Sequence, residues 1–398
     1  MTETALSGVR VLDLSRILAG PTCTQLLGDL GADVIKVERP NRGDDTRRWG
    51  PPFLEGSEGP LEESAYYVSA NRNKRSIAID FSKPAGADLV AQMAEGCDVL
   101  VENYKARGLA SYGLDYPSLR HRAPGLVYCS ITGFGQDGPR RDQPGYDFLA
   151  QAMAGTMSVT GEVDGEPMKV GIGVADIMCG MYASSAILAA LRHRDRTGAG
   201  QHIDLALFDS TLAWLANVAT NHFVSGHAPK RYGNAHPNIV PYQTFPTADG
   251  WVVIACGNDS QFRRLCLALG CEEIAADARY RTNEARLAHR DELVELLEER
   301  TRRESTAHWV SVLEQAKVSG GPVHDVPTAF ADPQAVARGM RRTMSHPDAG
   351  SVDVIANPIR MSETPIRYAR VPPKRGEHAD EILKEWGLDA GRIDELRR

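Results

Sequence analysis

The sequence predicts an α/β protein, with a large domain built on a parallel sheet covered by helices on both faces and a smaller α+β domain. Three observations predict it. Short β-rich runs alternate with helix-patterned segments through the first half. Near residue 225 the composition turns to Pro, Gly, His and Asn. The chain has 398 residues, 42% hydrophobic and 24% charged, which suffices for two cores.

The elements follow in order. "VRVLDLS" (9–15) reads as a strand, "PTCTQLLGDLG" as a helix closed by glycine, and "ADVIKVER" (32–39) as the next strand. A basic loop, "NRNKR", precedes strand "SIAIDF"; helical "KPAGADLVAQMAEG" then leads into strand "CDVLVEN" (97–103). "YPSLRHRAP" is helical and "GLVYCSITGFG" (125–135) is a strand. A small-residue helix over 176–194 is followed by strand "HIDLALFD". Beyond "WVVIACGND", helices are expected near 259–269 and 290–316, and a strand at "NPIRMSE". The large domain is placed at 1–225, completed by 326–398, and the small one at 228–325.

The topology is Rossmann-like, so ligands should gather at the carboxyl ends of the strands. The loops there are "SRILAGP", "VERPNRGDDTRRWGPP", "ENYKARG" and "TGFGQDGP", which suggests one shared crevice. The turn after the first strand has no G-x-G-x-x-G, which argues against a dinucleotide cofactor. H-E-x-x-H, G-x-S-x-G and P-loop motifs are also missing, which argues against the common hydrolase and NTPase chemistries.

Composition narrows the class further. A formal net charge of −7 gives no general footprint for nucleic acid. The seven cysteines are widely spaced without a C-x-x-C pair, and read as reduced core thiols. The N-terminus lacks a signal-peptide pattern and no apolar stretch reads as a membrane span, so the cytoplasm is the expected compartment.

Candidate chemistry follows from residue type and place. Arg72, Lys74 and Arg75 read either as a solvated turn or as a phosphate site; Arg39 and Lys105 close neighbouring strands and would join them on an anionic, nucleotide-like ligand. Asp176, at the start of the long helix, reads as an N-cap or as a carboxylate kept ionised by the helix dipole and able to act as a nucleophile. Tyr146 and Asp147 read as a turn and cap or as part of a pocket. His236 is a loop histidine of either kind.

Taken together, these stretches resemble the class III coenzyme A transferase family, the group of formyl-CoA and carnitine CoA-transferases. The resemblance rests on "VLDLSRILAGPTCTQLLGDLGADVIKVERP", "NRNKRSIAIDF", "VENYKARGLASYGLDY", "CSITGFGQDGP", "PGYDFLAQAMAG", "VADIMCGMYASSAILAAL" and "RTGAGQHIDLAL", in this order over nearly the whole chain. "GDDTRRWGPP", "GNAHPNIVPYQTFPTADGWVVIACGND" and "PPKRGEHADEIL" are similar to the family's succinate–hydroxymethylglutarate (glutarate) branch.

The resemblance implies several expectations. Asp176 would carry the acyl relay through an aspartyl anhydride and an aspartyl-CoA thioester. Ile17, Leu18, Ala19, Arg39, Arg72, Lys74, Arg75, Asn103, Tyr104, Lys105 and Tyr146 would hold the CoA thioester, and Arg47, Arg48 or His236 the acid substrate. Coenzyme A would enter as acyl-CoA substrate, with no metal or tightly bound cofactor, in an interlocked homodimer that binds neither nucleic acid nor membrane. The family motif usually has Arg where Ser111 stands, and the formyl enzyme has glutamine at the position of Leu18. The alternatives are a racemase acting on α-methylacyl-CoA, which would need a histidine where Tyr146 stands, and a non-catalytic CoA-binding protein.

Overall fold

A computed structural model describes residues 4–387. Its chain divides into two compact units: Met1–Thr156 with Val170–Leu215 and Gln334–Arg398, and Met157–Lys169 with Ala216–Pro333. From sequence, 157–169 falls in the large domain, whose boundaries are expected at 225 and 326.

Among the described residues the first unit holds six parallel strands: β1 (Arg10–Asp13), β2 (Asp33–Glu38), β3 (Lys74–Ala78), β4 (Val99–Glu102), β5 (Val127–Thr132) and β6 (Gln201–Ala206). Their order across the sheet is β3-β2-β1-β4-β5-β6, with Leu12 beside Ile35 and Leu100. Strands buried on both faces must be apolar at nearly every position. All six residues of β5 are buried accordingly.

The pleat sends alternate residues into two cores. Leu12, Ile35, Ile77 and Leu100 meet helix α2 (Pro84–Glu95) and Ile382 and Leu383 of the C-terminal helix. Val11, Val34, Val99 and Val127 meet α1 (Ala19–Asp29) and α4 (Val174–Thr197), while α3 (Asp147–Met153) adds Ala150 to that side. α4 is long and apolar enough to cross a membrane by length and composition, contrary to the sequence reading. Its Ala175, Cys179, Ala183, Ile187 and Leu191 are core residues against the sheet.

Two antiparallel hairpins, Phe53–Gly56 with Gly59–Ser64 and Arg341–His346 with Gly350–Ile355, complete this unit. The strand expected at "NPIRMSE" is instead irregular backbone. Asn357 turns its own side chain onto the Ile359 N–H, and Pro358 has no donor for a ladder.

The second unit packs a three-stranded antiparallel sheet, Tyr242–Pro246, Trp251–Ala255 and Ser319–Pro322, under helices around Phe245, Phe262, Leu293 and Trp309. The helix expected over 290–316 is two, Arg290–Thr301 and Thr306–Gln315, because Ser305 caps the second by accepting the His308 N–H. All seven cysteines of the protein are free and buried.

Candidate active site

A cavity of about 360 Å³ lies where the connections of β1 and β4 diverge, the switch point of this strand order. Its wall is made by Arg16–Ala19 after β1, Asn103–Ala106 and Gly108 after β4, Ile131–Gly133 at the end of β5, Arg141 with residues 143–146, and Asp176 and Leu207. Eight residues expected in the site therefore share one cavity: Ile17, Leu18, Ala19, Asn103, Tyr104, Lys105, Tyr146 and Asp176. Gly133 and Gly145 approach so closely that a Cβ on Gly133 would stand 2.5 Å from the Gly145 Cα.

The loop after β1 is held in an unfavourable shape by polar contacts. Ile17 is β-branched yet has φ of 73°. Its N–H donates to the Asp44 carboxylate at 3.2 Å, and Asn103 grips Arg16 through both the backbone N–H and the carbonyl. Asp44 is itself buried against Lys36 at 2.8 Å, and Lys36 Nζ also donates to the Ser15 carbonyl. Burial alone would raise the Asp44 carboxyl, but Lys36 and the Thr46 donors outweigh it and bring it down to about 2. Sequence patterning cannot show this support, because its parts come from three separate strands.

Asp176 sits in the first turn of α4, which begins at Val174, so it does not cap the helix. Asp147, at the start of α3, takes that place: one of its oxygens accepts the Ala175 N–H at 2.8 Å and the Asp176 N–H at 3.4 Å. Its other oxygen accepts from Gln151 Nε2 at 2.7 Å, and Gln151 Oε1 accepts the Val170 N–H. The helix N-terminus therefore serves Asp147. Burial, then the Asp147 charge, pushes Asp176 up to about 7, which corrects the expectation that the helix dipole keeps it ionised. Its field reaches Tyr66, whose hydroxyl is pushed up to about 12 by burial and then by Asp176. Glu102, behind the wall at the end of β4, is also raised to about 7 by burial, although the Ser130 hydroxyl and the Tyr104 N–H relieve it.

A second recess, about 510 Å³, shares Tyr104 and Gly108 with the first. Arg39 and Arg42 line it with Phe81 and Tyr112, so exposed cations and aromatic faces stand together, as phosphates and a stacked base require. Arg16, Arg42, Arg141, Phe81 and Tyr112 were not singled out from sequence. Their signal was position alone, since all five lie in or beside the loops that follow the strands.

The remaining expected cations line neither space. Arg72 makes two bonds to Asp29, at 2.9 and 2.5 Å, and a third to the Ile355 carbonyl. Lys74 donates to Asp13, Asn71 and the Pro21 carbonyl; Arg75 is held by Asp33, Glu381 and Glu385. Arg47 is buried between Glu38 and Glu63, with Tyr67 and the Pro373 carbonyl on its remaining donors. These side chains are spent inside the protein, so the phosphate and carboxylate roles expected of them do not fit. Arg48 is exposed and lines a separate surface recess with Arg42 and Arg375. His236 belongs to the second unit, where its Nδ1 accepts the Asn238 N–H and its ring packs 5.2 Å from Tyr242.

Comparison with known proteins shows the family. The family model for CoA-transferase family III matches residues 6–379. A succinate–glutarate CoA-transferase of Agrobacterium fabrum is 52% identical over 96% of this chain and 95% of its own length. A human succinyl-CoA:glutarate CoA-transferase is 44% identical over 96% of this chain and 85% of its own. A crystal structure of a CAIB/BAIF family protein from Brucella suis superimposes with a TM-score of 0.86 at 48% identity, covering 97% of this chain and all of that one. With a match over nearly its whole length and a strand-end cavity holding one buried carboxylate on its wall, the chain belongs to CoA-transferase family III and is an enzyme that transfers coenzyme A.

Proposed function

We propose that the protein moves CoA from succinyl-CoA to a short dicarboxylic acid such as glutarate, through Asp176. The observation that carries this reading is Asp176 itself: among the described residues it is the carboxylate on the cavity wall, it is mostly buried, and no cation offsets its charge. The activities named for these relatives support the substrate pair.

In the proposed relay an Asp176 oxygen adds to the succinyl carbonyl, the C–S bond breaks, and a mixed anhydride and CoA thiolate result. The thiolate attacks the Asp176 acyl carbon, releasing succinate and leaving an aspartyl-CoA thioester. The acceptor carboxylate displaces the thiolate to form a second anhydride. Thiolate attack on the acceptor's acyl carbon then releases the new acyl-CoA and the Asp176 carboxylate. Each tetrahedral oxyanion needs a donor, worth roughly 3 kcal/mol when well placed. The close Gly133 and Gly145 backbones support an approach of the thioester to the wall.

Arg39 and Arg42 would take the CoA phosphates in the second recess, and Tyr104 would separate the two parts of the thioester. A racemase would need two bases facing one α-carbon. Among the described residues no histidine lines the cavity, and position 146 is an exposed tyrosine. The free, buried cysteines support a reducing compartment such as the cytoplasm. A homodimer is part of the reading and is tested by light scattering.

Mass spectrometry of mixtures of succinyl-CoA with a panel of acids tests the reaction. Glutaryl-CoA, or another dicarboxylyl-CoA, is expected with wild type and not with Asp176→Ala. Hydroxylamine added to enzyme and succinyl-CoA should leave a hydroxamate on the Asp176 peptide. A working transferase without that adduct would count against the covalent relay.

A further inference from the structure

With Arg47 buried in a network of its own and Arg48 turned to solvent, the cavity needs another group to distinguish a dicarboxylate from a monocarboxylate. Among the described residues three cations line it: Arg16, Lys105 and Arg141. Lys105 is exposed and the Arg141 side chain is 39% exposed beside Asp142. Arg16 differs from both. Its side chain is 25% exposed, and its guanidinium lies 5.2 Å from the centre of the Tyr104 ring.

Its hydrogen bonds are uneven. Nη1 is taken by Asp45 at 2.5 Å, whereas Nε is buried without a partner, and Nη2 makes no hydrogen bond among the described residues. Nε and Nη2 form the side edge of the guanidinium, two parallel N–H groups at the spacing of a carboxylate's oxygens. A buried donor left unpaired costs free energy unless an acceptor arrives. The backbone beneath it is fixed by Asn103 on one side and by the Asp44-held Ile17 on the other, so little entropy is lost when the edge is used.

Position selects the anion. Two residues on, the Leu18 side chain stands 3.0 Å from where a Cβ on Gly173 would be, at the turn that carries Asp176. Exposed Arg39 and Arg42 lie beyond Tyr104 in the other recess. We propose that the free edge of Arg16 binds the distal carboxylate of a dicarboxylyl substrate and so sets the enzyme's preference for dicarboxylic acids. The inference rests on the dicarboxylate reading above.

Succinyl-CoA and butyryl-CoA differ by a carboxylate in place of a methyl group. The test compares single-turnover release of succinate and of butyrate from each thioester, with no acceptor present, in wild type, Arg16→Gln and Arg16→Lys, alongside the Kd of free CoA. The ratio of the two rates should fall about 30- to 100-fold in Arg16→Gln. Arg16→Lys, which keeps the charge but not the fork, should recover part of it, and the Kd of CoA should stay near the wild-type value. A retained ratio, or a loss of CoA affinity that slows both thioesters alike, overturns the assignment to Arg16. Wild type that treats both thioesters alike overturns the dicarboxylate reading itself, and this inference with it.

Discussion

Asp176, the proposed nucleophile, is tuned by what is withheld from it. Among the described residues no cation is paired with it, and Asp147 occupies the Ala175 and Asp176 N–H groups at the helix terminus. A folded-state value raised from 3.8 to about 7 means that the folded protein binds the extra proton between those pH values. Stability attributable to this group is therefore full below pH 4 and is lost as pH rises toward 7, by about 4 kcal/mol at 1.36 kcal/mol per unit. Asp176→Asn should raise the melting temperature at pH 8 and lose that advantage near pH 4, while abolishing transfer; equal shifts at both pH values would refute the account. Activity should rise through pH 7 as the carboxylate ionises. Glu102 titrates in the same range, so the profile alone does not assign the group. Asp147→Asn separates them: an amide oxygen can still accept the helix N–H groups, but the charge beside Asp176 is gone. The midpoint of the kcat/KM profile should move to lower pH, whereas a profile governed by Glu102 would stay in place.

Between elements, the site depends on close packing that the sequence announces only through small residues. A Cβ on Gly180 of α4 would meet the Ala19 carbonyl at 2.5 Å, so glycine lets α4 lie directly on the residue that begins α1 and lines the cavity. Gly180→Ala should improve helix propensity by up to about 1 kcal/mol yet lose about 1–3 kcal/mol net through displacement of α1. A drop in kcat should accompany the lower melting temperature, because Ala19 moves with its helix; an unchanged or higher melting temperature would show that the contact yields freely. The strands were legible because strands buried on both faces are apolar runs, and α4 because its small residues recur from Ala175 to Ala190. The hairpin at 53–64 was missed, since its edge strands are short and polar, and "NPIRMSE" was misread because an apolar Ile and Met within it outweighed the proline.

At the scale of the whole molecule, the loop "NRNKR" joins distant parts of the chain within the first unit. Asp29, at the end of α1, accepts from Arg72, Asn73 and Asn357, and Asn73 accepts the Ala369 and Arg370 N–H groups while donating to the Arg367 carbonyl. Arg75 similarly holds Glu381 and Glu385 of the C-terminal helix. A run of cations reads as a phosphate site in sequence because its partners, 29, 33 and 381, lie far away along the chain; only the fold shows that the charges are already met. The family was legible and the cavity residues were largely legible, but which basic groups remain free was not. Arg72 therefore offers a decisive contrast between the two roles. Breaking a buried pair by removing one partner costs about 3–5 kcal/mol, because the remaining charge is stranded. Arg72→Gln should lower stability to urea by about that amount and loosen the 355–370 segment, seen as faster amide exchange there. Because Arg72 lines neither cavity, the Kd of CoA and its dependence on salt should be unchanged under conditions where the variant is folded. A weaker Kd with a shallower salt dependence would mean that this arginine reaches a CoA phosphate, and the structural role assigned to the loop would be wrong.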